Sequence, residues 1–245
     1  MSVISEIYPV ANDAERFRLV LAMLARHLDE RVTVTGSFAV EWHLLREGVA
    51  TGGRRLNDID TVFANPTAGI GEGIAEDFLI NHFHPGREKG NIYMQLVEPK
   101  TATRVDLFSA RSPSLAERES RTALDGIDAG VISIEDLQAR LLAIIDIVIE
   151  NKTVDPKHLR SFTRLMEVSD PIKAAALWSE YKRSGELPDF GQTWNDVQRK
   201  LAESPDLLKP EMYSHDVDSV CPWCVDSEAF PVADRSRIFE VLGYV

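Results

Sequence analysis

Val32-Thr33-Val34-Thr35-Gly36-Ser37-Phe38-Ala39 decides how the chain folds. The run reads as a strand that breaks at Gly36 and turns into a helix starting near Ser37. A turn of that kind leaves backbone N–H groups at a helix N-terminus, a natural seat for phosphate. About twenty residues on, Asn57-Asp58-Ile59-Asp60-Thr61-Val62-Phe63 reads as a second strand. Strand side chains alternate between faces, so Asp58 and Asp60 point one way while Ile59 and Thr61 point the other. A third apolar strand, Arg104-Val105-Asp106-Leu107-Phe108, carries one carboxylate. Burying carboxylates among apolar residues is expensive unless a cation compensates. Three of them on neighbouring strands beside a phosphate-cradling turn suit two-metal phosphoryl or nucleotidyl transfer, because Mg²⁺ takes hard oxygen ligands.

The order Gly36-Ser37, then Asp58-Ile59-Asp60, then Asp106 resembles the pol-β-type nucleotidyltransferase superfamily. Within it, Thr35-Gly36-Ser37-Phe38-Ala39 followed by Arg54-Arg55-Leu56-Asn57-Asp58-Ile59-Asp60 looks most like the AbiEii-type nucleotidyltransferases, an abortive-infection toxin branch. The resemblance covers roughly the first half of the chain, with a weaker match in the helices that follow. It implies an α/β (α+β) nucleotidyltransferase-like mixed sheet with flanking helices and an NTP as substrate. It also implies two Mg²⁺ (or Mn²⁺) ions on Asp58, Asp60 and Asp106, which are also the catalytic residues. The acceptor, whether RNA, protein or small molecule, stays open, and a toxin of this kind would have an antitoxin as partner. The family usually carries a lysine near the start of the first helix after the sheet. Here Gln138-Ala139-Arg140 stands in that place, and arginine is a different instrument from lysine. Arg140 is therefore a candidate for nucleotide binding, and Lys157 a second basic candidate. The departure also leaves room for a protein that binds Mg-nucleotide or a partner on the same fold without transfer.

Composition sets outer limits. At 245 residues, 44% hydrophobic and 27% charged, the chain is long enough for one large or two small soluble domains. No apolar run spans a bilayer and no secretory signal is evident, so no membrane association and a cytoplasmic location are the expectations. The net charge of −12 argues against coating nucleic acid through phosphate neutralisation. A local basic patch from Arg54, Arg55 and Arg104 is compatible with that. Gly48 to Arg55 reads as a loop at the rim of the site, where Arg54 or Arg55 can hold a triphosphate through guanidinium forks or simply be solvated.

Before the first strand, Asn12-Asp13 predicts a cap for a helix running to about His27, with Phe17, Val20, Leu21, Leu24 and Leu28 as its apolar stripe. After Gly36, Phe38, Ala39, Trp42 and Leu45 form another stripe, with His43 beside them as a packed or surface histidine rather than a catalytic one. Pro66 to Phe78 reads as a glycine-interrupted helix start. Phe78 to Phe83 and Ile92 to Val97 read as strands leading by a meander to the Asp106 strand. His82 and His84 share a face of their strand, compatible with metal binding or with structural histidines. Ser112 to Arg121 is helix-prone, and Asp125 to Gly130 is turn-like.

Ser133-Ile134-Glu135-Asp136 opens a helix with a capping-box pattern, and Asp155-Pro156 and Asp170-Pro171 open two more. The expected organisation is a nucleotidyltransferase-like domain over 1–130, a helical domain over 131–205 and a tail over 206–245. That tail contains Cys221-Pro222-Trp223-Cys224, which holds both cysteines. The pair reads as reduced structural thiols, as half of a zinc site with His215 and one further ligand, or as a redox pair. Zinc, if bound, would serve the fold.

Overall fold

The computed structural model describes residues 2–65, 69–112, 114–211 and 220–244. Its centre is a mixed sheet of seven strands among the described residues: β1 Val32–Val34, β2 Asp58–Phe63, β3 Leu79–Phe83, β4 Ile92–Glu98, β5 Thr103–Ser109, β6 Ser120–Leu124 and β7 Ile127–Val131. Across the sheet the order is β3-β4-β5-β2-β1-β7-β6. The pairs β1–β7 and β2–β5 are parallel, and the other neighbours are antiparallel. The mixed α/β class expected from the sequence is the one observed. The strand–turn–helix at Gly36 is also as expected, with a helix over Gly36–Arg46. No helix among the described residues is long and apolar enough to cross a membrane.

The chain divides into two compact units. One comprises 1–38, 51–132 and 214–245, and the other 39–50 and 133–213. In the sheet unit, the helix Ala11–Arg26 buries Phe17, Val20, Leu21 and Leu24, the periodic face read from the sequence. Phe17 stacks on Phe38 with ring centroids 4.5 Å apart, and Tyr8 packs tilted against Phe17 at 5.4 Å.

Asn12-Asp13 does not cap this helix. It starts at Ala11 with Val10 in the cap position, and Asp13 is fully buried. Its carboxylate accepts from Arg55 Nε (2.7 Å) and from the Leu56 backbone N–H (3.2 Å), anchoring the approach to β2.

The stretch read as a turn over 125–130 is instead the second half of a hairpin, β6–β7. Its two turn residues, Asp125 (φ 50°) and Gly126 (φ 92°), are both left-handed, as a type I′ connection requires. Among the described residues of the helix-prone stretch before it, one four-residue helix forms, Leu115–Arg118. The Gly36–Arg46 helix is also more enclosed than a single stripe predicts, since Val40, Glu41, His43 and Leu44 are buried with Phe38, Ala39 and Trp42. His43 packs edge-on against Trp42, the bland role expected for it.

Residues 220–234 run beside the free edge of β3. The Val225 N–H donates to the Phe83 carbonyl (2.9 Å) and the Ala233 N–H to the Ile80 carbonyl (2.8 Å). A helix follows over Arg235–Leu242, capped by Asp234, and packs Ile238 and Phe239 against Val97 and Leu79.

In the helical unit, Ser133, Asp155 and Asp170 cap the helices Ile134–Ile145, Pro156–Met166 and Pro171–Tyr181, each side chain accepting from a first-turn N–H. A further helix, Phe190–Glu203, is capped by Asp189. Glu41, buried, receives a two-pronged Arg164 guanidinium at 2.7 and 3.3 Å.

Candidate active site

Parallel register brings the acidic residues together. Asp60 stands opposite Asp106 and Asp58 opposite Arg104, on the adjacent strands β2 and β5. Residues two apart on a strand share a face, so the four side chains form a square of three carboxylates and one guanidinium. Arg104 Nη2 donates to Asp58 Oδ2, and its Nε lies 3.7 Å from Asp106 Oδ1. Gln95, opposite Asp106 on β4, donates to Asp106 Oδ1 at 2.7 Å and itself accepts from the Asn81 amide. Asp106 is buried at 7% exposure, while Asp58 and Asp60 are half-buried. Asp106 is therefore held by Gln95 and Asp58 by Arg104.

Gly36 closes on the same square. It has φ +62°, and a Cβ added there would fall 1.8 Å from Asp60 Oδ2. Glycine is needed twice over, for the left-handed backbone and for the carboxylate lying on its Cα. The Thr35 N–H donates to the Asp60 carbonyl (2.9 Å), so the strand end and the acid strand are stitched together at this point. Ser37, the next helical residue, is half-buried. The first turn of the Gly36–Arg46 helix thus opens beside Asp60, with N–H groups that lack partners within a helix.

Of the two loop arginines, Arg55 leaves most of its side chain exposed but commits Nε to Asp13. Arg54 is half-buried, and its backbone N–H donates to the Ile7 carbonyl (2.9 Å). Its charge opposes the pull on Tyr8, whose phenol is pushed far above its ordinary range by burial first and then by the charges of Asp58 and Asp60. Tyr8, Asp13 and Gln95 are parts of this neighbourhood that sequence reading missed. A tyrosine just past the short helix Val3–Ile7 and a glutamine in a strand carry no motif, and only the fold brings them here.

Arg140 and Lys157 lie in the helical unit, on Ile134–Ile145 and Pro156–Met166. There both charges add to burial in holding the His158 imidazole below its usual value.

The three carboxylates offer the hard oxygen set that Mg²⁺ prefers, and Arg104 already supplies positive charge between two of them. The donor chemistry therefore fits a divalent ion. Asp58, Asp60 and Asp106 do not gather as tightly as another group does. Among the described residues, the one cluster of three or more His, Cys, Asp or Glu ligand atoms close enough for a metal is His82, His84, Cys221 and Cys224, all within 4.8 Å of one another. His215, read as a partner of the two cysteines, lies outside the described residues.

No family model and no curated protein matches the chain. Among solved structures it is similar to the antibiotic-resistance factor ANT(2'')-Ia in solution, with TM-score 0.48, 16% identity, and coverage of 78% of this chain and 99% of that one. It is also similar to an antigenic nucleotidyltransferase-like protein from Paracoccidioides brasiliensis, with TM-score 0.38, 13% identity, and coverage of 83% and 90%. At these values neither likeness bears on chemistry or substrate.

Proposed function

We propose that the Asp58, Asp60 and Asp106 face, with the helix start at Gly36-Ser37, is the active site of a metal-dependent nucleotidyltransferase. The register carries this reading: three acids share one face of two parallel strands, and one of them lies on the glycine that opens a helix. The triphosphate of an NTP binds over the backbone N–H groups of that first turn. Asp58, Asp60 and Asp106 would hold Mg²⁺ or Mn²⁺, which when bound draws off negative charge from the phosphates and the acceptor oxygen. Arg104 balances the crowded acids and keeps Asp58 in place. Asp106, fixed by Gln95, orients the acceptor hydroxyl and takes its proton as the oxygen bonds to the α-phosphorus. The bond from that phosphorus to the bridging oxygen breaks, and pyrophosphate leaves. The resemblance to AbiEii-type enzymes favours a macromolecular acceptor, and the net charge of −12 weighs against an extended nucleic acid.

The test has two parts. Purified protein is incubated with labelled NTPs and a lysate, and label is sought on RNA, protein and small molecules. Mg-ATP and Mg-GTP are titrated calorimetrically into Asp58→Asn, Asp60→Asn and Asp106→Asn. The first two should lose nucleotide binding and transfer together. Asp106→Asn should keep binding while transfer falls by orders of magnitude, as for an interaction made chiefly in the transition state. Unchanged binding and transfer in all three would make the acids structural. Binding with no transfer by the parent to any acceptor would leave a nucleotide-binding protein.

A further inference from the structure

We infer that His82, His84, Cys221 and Cys224 form a zinc site that staples the C-terminal segment to the open edge of the sheet. The two halves come from distant parts of the chain, with His82 and Cys224 separated by 142 positions. His82 is on β3, and His84 lies just past its end, on the same face by strand alternation. The cysteines sit at either end of a tight turn in which the Cys224 N–H donates to the Cys221 carbonyl.

The spacing is that of a coordination shell. A tetrahedral zinc with bonds of about 2.3 Å to sulfur and about 2.0 Å to nitrogen sets neighbouring sulfur and nitrogen ligands about 3.5 Å apart. Here His82 Nδ1 lies 3.1 Å from Cys224 Sγ, His84 Nε2 lies 3.2 Å from Cys221 Sγ, and the same nitrogen lies 3.5 Å from Cys224 Sγ. All four ligand atoms fall within 4.8 Å of one another. The outer shell is prepared as well. His84 Nδ1–H donates to the Ile92 carbonyl at 3.2 Å, and a carbonyl can only accept. That bond fixes the tautomer in which Nε2 turns a lone pair toward the sulfurs, as second-shell partners do at histidine metal sites.

Two sulfurs and two imidazoles select zinc over magnesium, and two thiolates neutralise the dication as their two protons leave to solvent. The segment also has use for a staple. Residues 220–234 form no helix, and their pairing with β3 comes down to the Ile80–Val232 bridge and the two backbone bonds at Phe83 and Ile80. The site involves none of the carboxylates assigned to transfer, so it stands or falls apart from that chemistry.

The full chain, purified without chelator, should carry one zinc per molecule by elemental analysis. Stripped and titrated with Co²⁺ alone, it should develop the strong visible absorption of a tetrahedral ion and a thiolate charge-transfer band at one equivalent. Chelator should lower the melting temperature and Zn²⁺ should restore it. Cys224→Ser and His84→Ala should each weaken Co²⁺ binding by more than the roughly 10–100-fold that outer-shell changes cause. His215→Ala should leave it unchanged. Failure of the parent chain to take up Co²⁺ with that spectrum would overturn the site without recourse to any variant. So would a Cys221–Cys224 disulfide in protein kept reduced, or binding that depends on His215 and not on His82 or His84.

Discussion

Replacing Gly36 by alanine tests the centre of the molecule with a single methyl group. The new Cβ would meet Asp60 Oδ2 at 1.8 Å, Cγ at 2.5 Å and Cβ at 2.7 Å, on a backbone held at φ +62°. Two penalties follow. Left-handed backbone costs a non-glycine residue about 1–2 kcal/mol. Forcing Asp60 off its position adds about 1–3 kcal/mol, the usual range for overpacking. The sum, about 2–5 kcal/mol, is a large share of the roughly 5–15 kcal/mol that holds a domain folded. Urea denaturation of Gly36→Ala, Asp60→Ala and the double variant reads it directly. Asp60→Ala removes the carboxylate but keeps the Cβ and its 2.7 Å approach, so the double variant should recover only part of the steric penalty and none of the backbone part. A coupling of about 1–2 kcal/mol is therefore expected between residues that touch. Gly36→Ala within about 0.5 kcal/mol of the parent, the size of a neutral surface change, would refute the close approach. Strict additivity would refute it equally.

Arg104→Met removes the positive corner of the square. It should destabilise by about 2–3 kcal/mol, less than the roughly 3–5 of a fully buried pair because the Asp58 side chain keeps 21% exposure. The loss should be largest in chelator and partly reversed by Mg²⁺ in thermal melts, and a variant that melts like the parent with no Mg²⁺ response would count against the acid square. His158 tests the helical unit by pH. Burial first, then Lys157, depress its imidazole below 6.5, so the unfolded chain takes the proton first as pH falls. Stability should decline from near pH 6.5 down to the lower folded value. The difference between urea midpoints at pH 7 and pH 5.5 should shrink in His158→Asn, and an unchanged difference would remove His158 from the account.

The sequence yields most readily what is local and periodic. Asp58 and Asp60 share a face because strands alternate, and Gly36 marks a strand-to-helix break. Asp155-Pro156 and Asp170-Pro171 open helices because a cap and a preset φ coincide. Asp125-Gly126 is a hairpin signal in its own right, yet Ile127-Asp128-Ala129-Gly130-Val131 is poor in good strand formers and reads as turn. Parallel pairing with β1 makes it a strand all the same. A Cβ at Gly130 would meet the Glu119 carboxylate at 2.2 Å, so any other residue there would have to displace that side chain. Asp13 shows the opposite error, a residue type that suits a cap but is spent on partners more than forty positions away. The two histidines and the two cysteines were each visible as half-sites. No spacing rule joins halves so far apart, and only the route of the tail along β3 does so.

The unit that holds the sheet is discontinuous, and its segment 214–245 is synthesised after its other two segments and after the helical unit. A ribosome adding about 5–20 residues per second takes roughly 7–28 s to pass from His82 to Cys224, 142 positions later. Once Ile92–Glu98 has been made, β3 can be in place beside β4 for the rest of that interval while its outer backbone groups at Ile80 and Phe83 wait for Ala233 and Val225. An uncovered strand edge is a template for pairing with another chain. The newly made protein therefore passes through a window in which its most vulnerable surface is a matter of translation speed, and any truncation before Val225 would hold that window open for good.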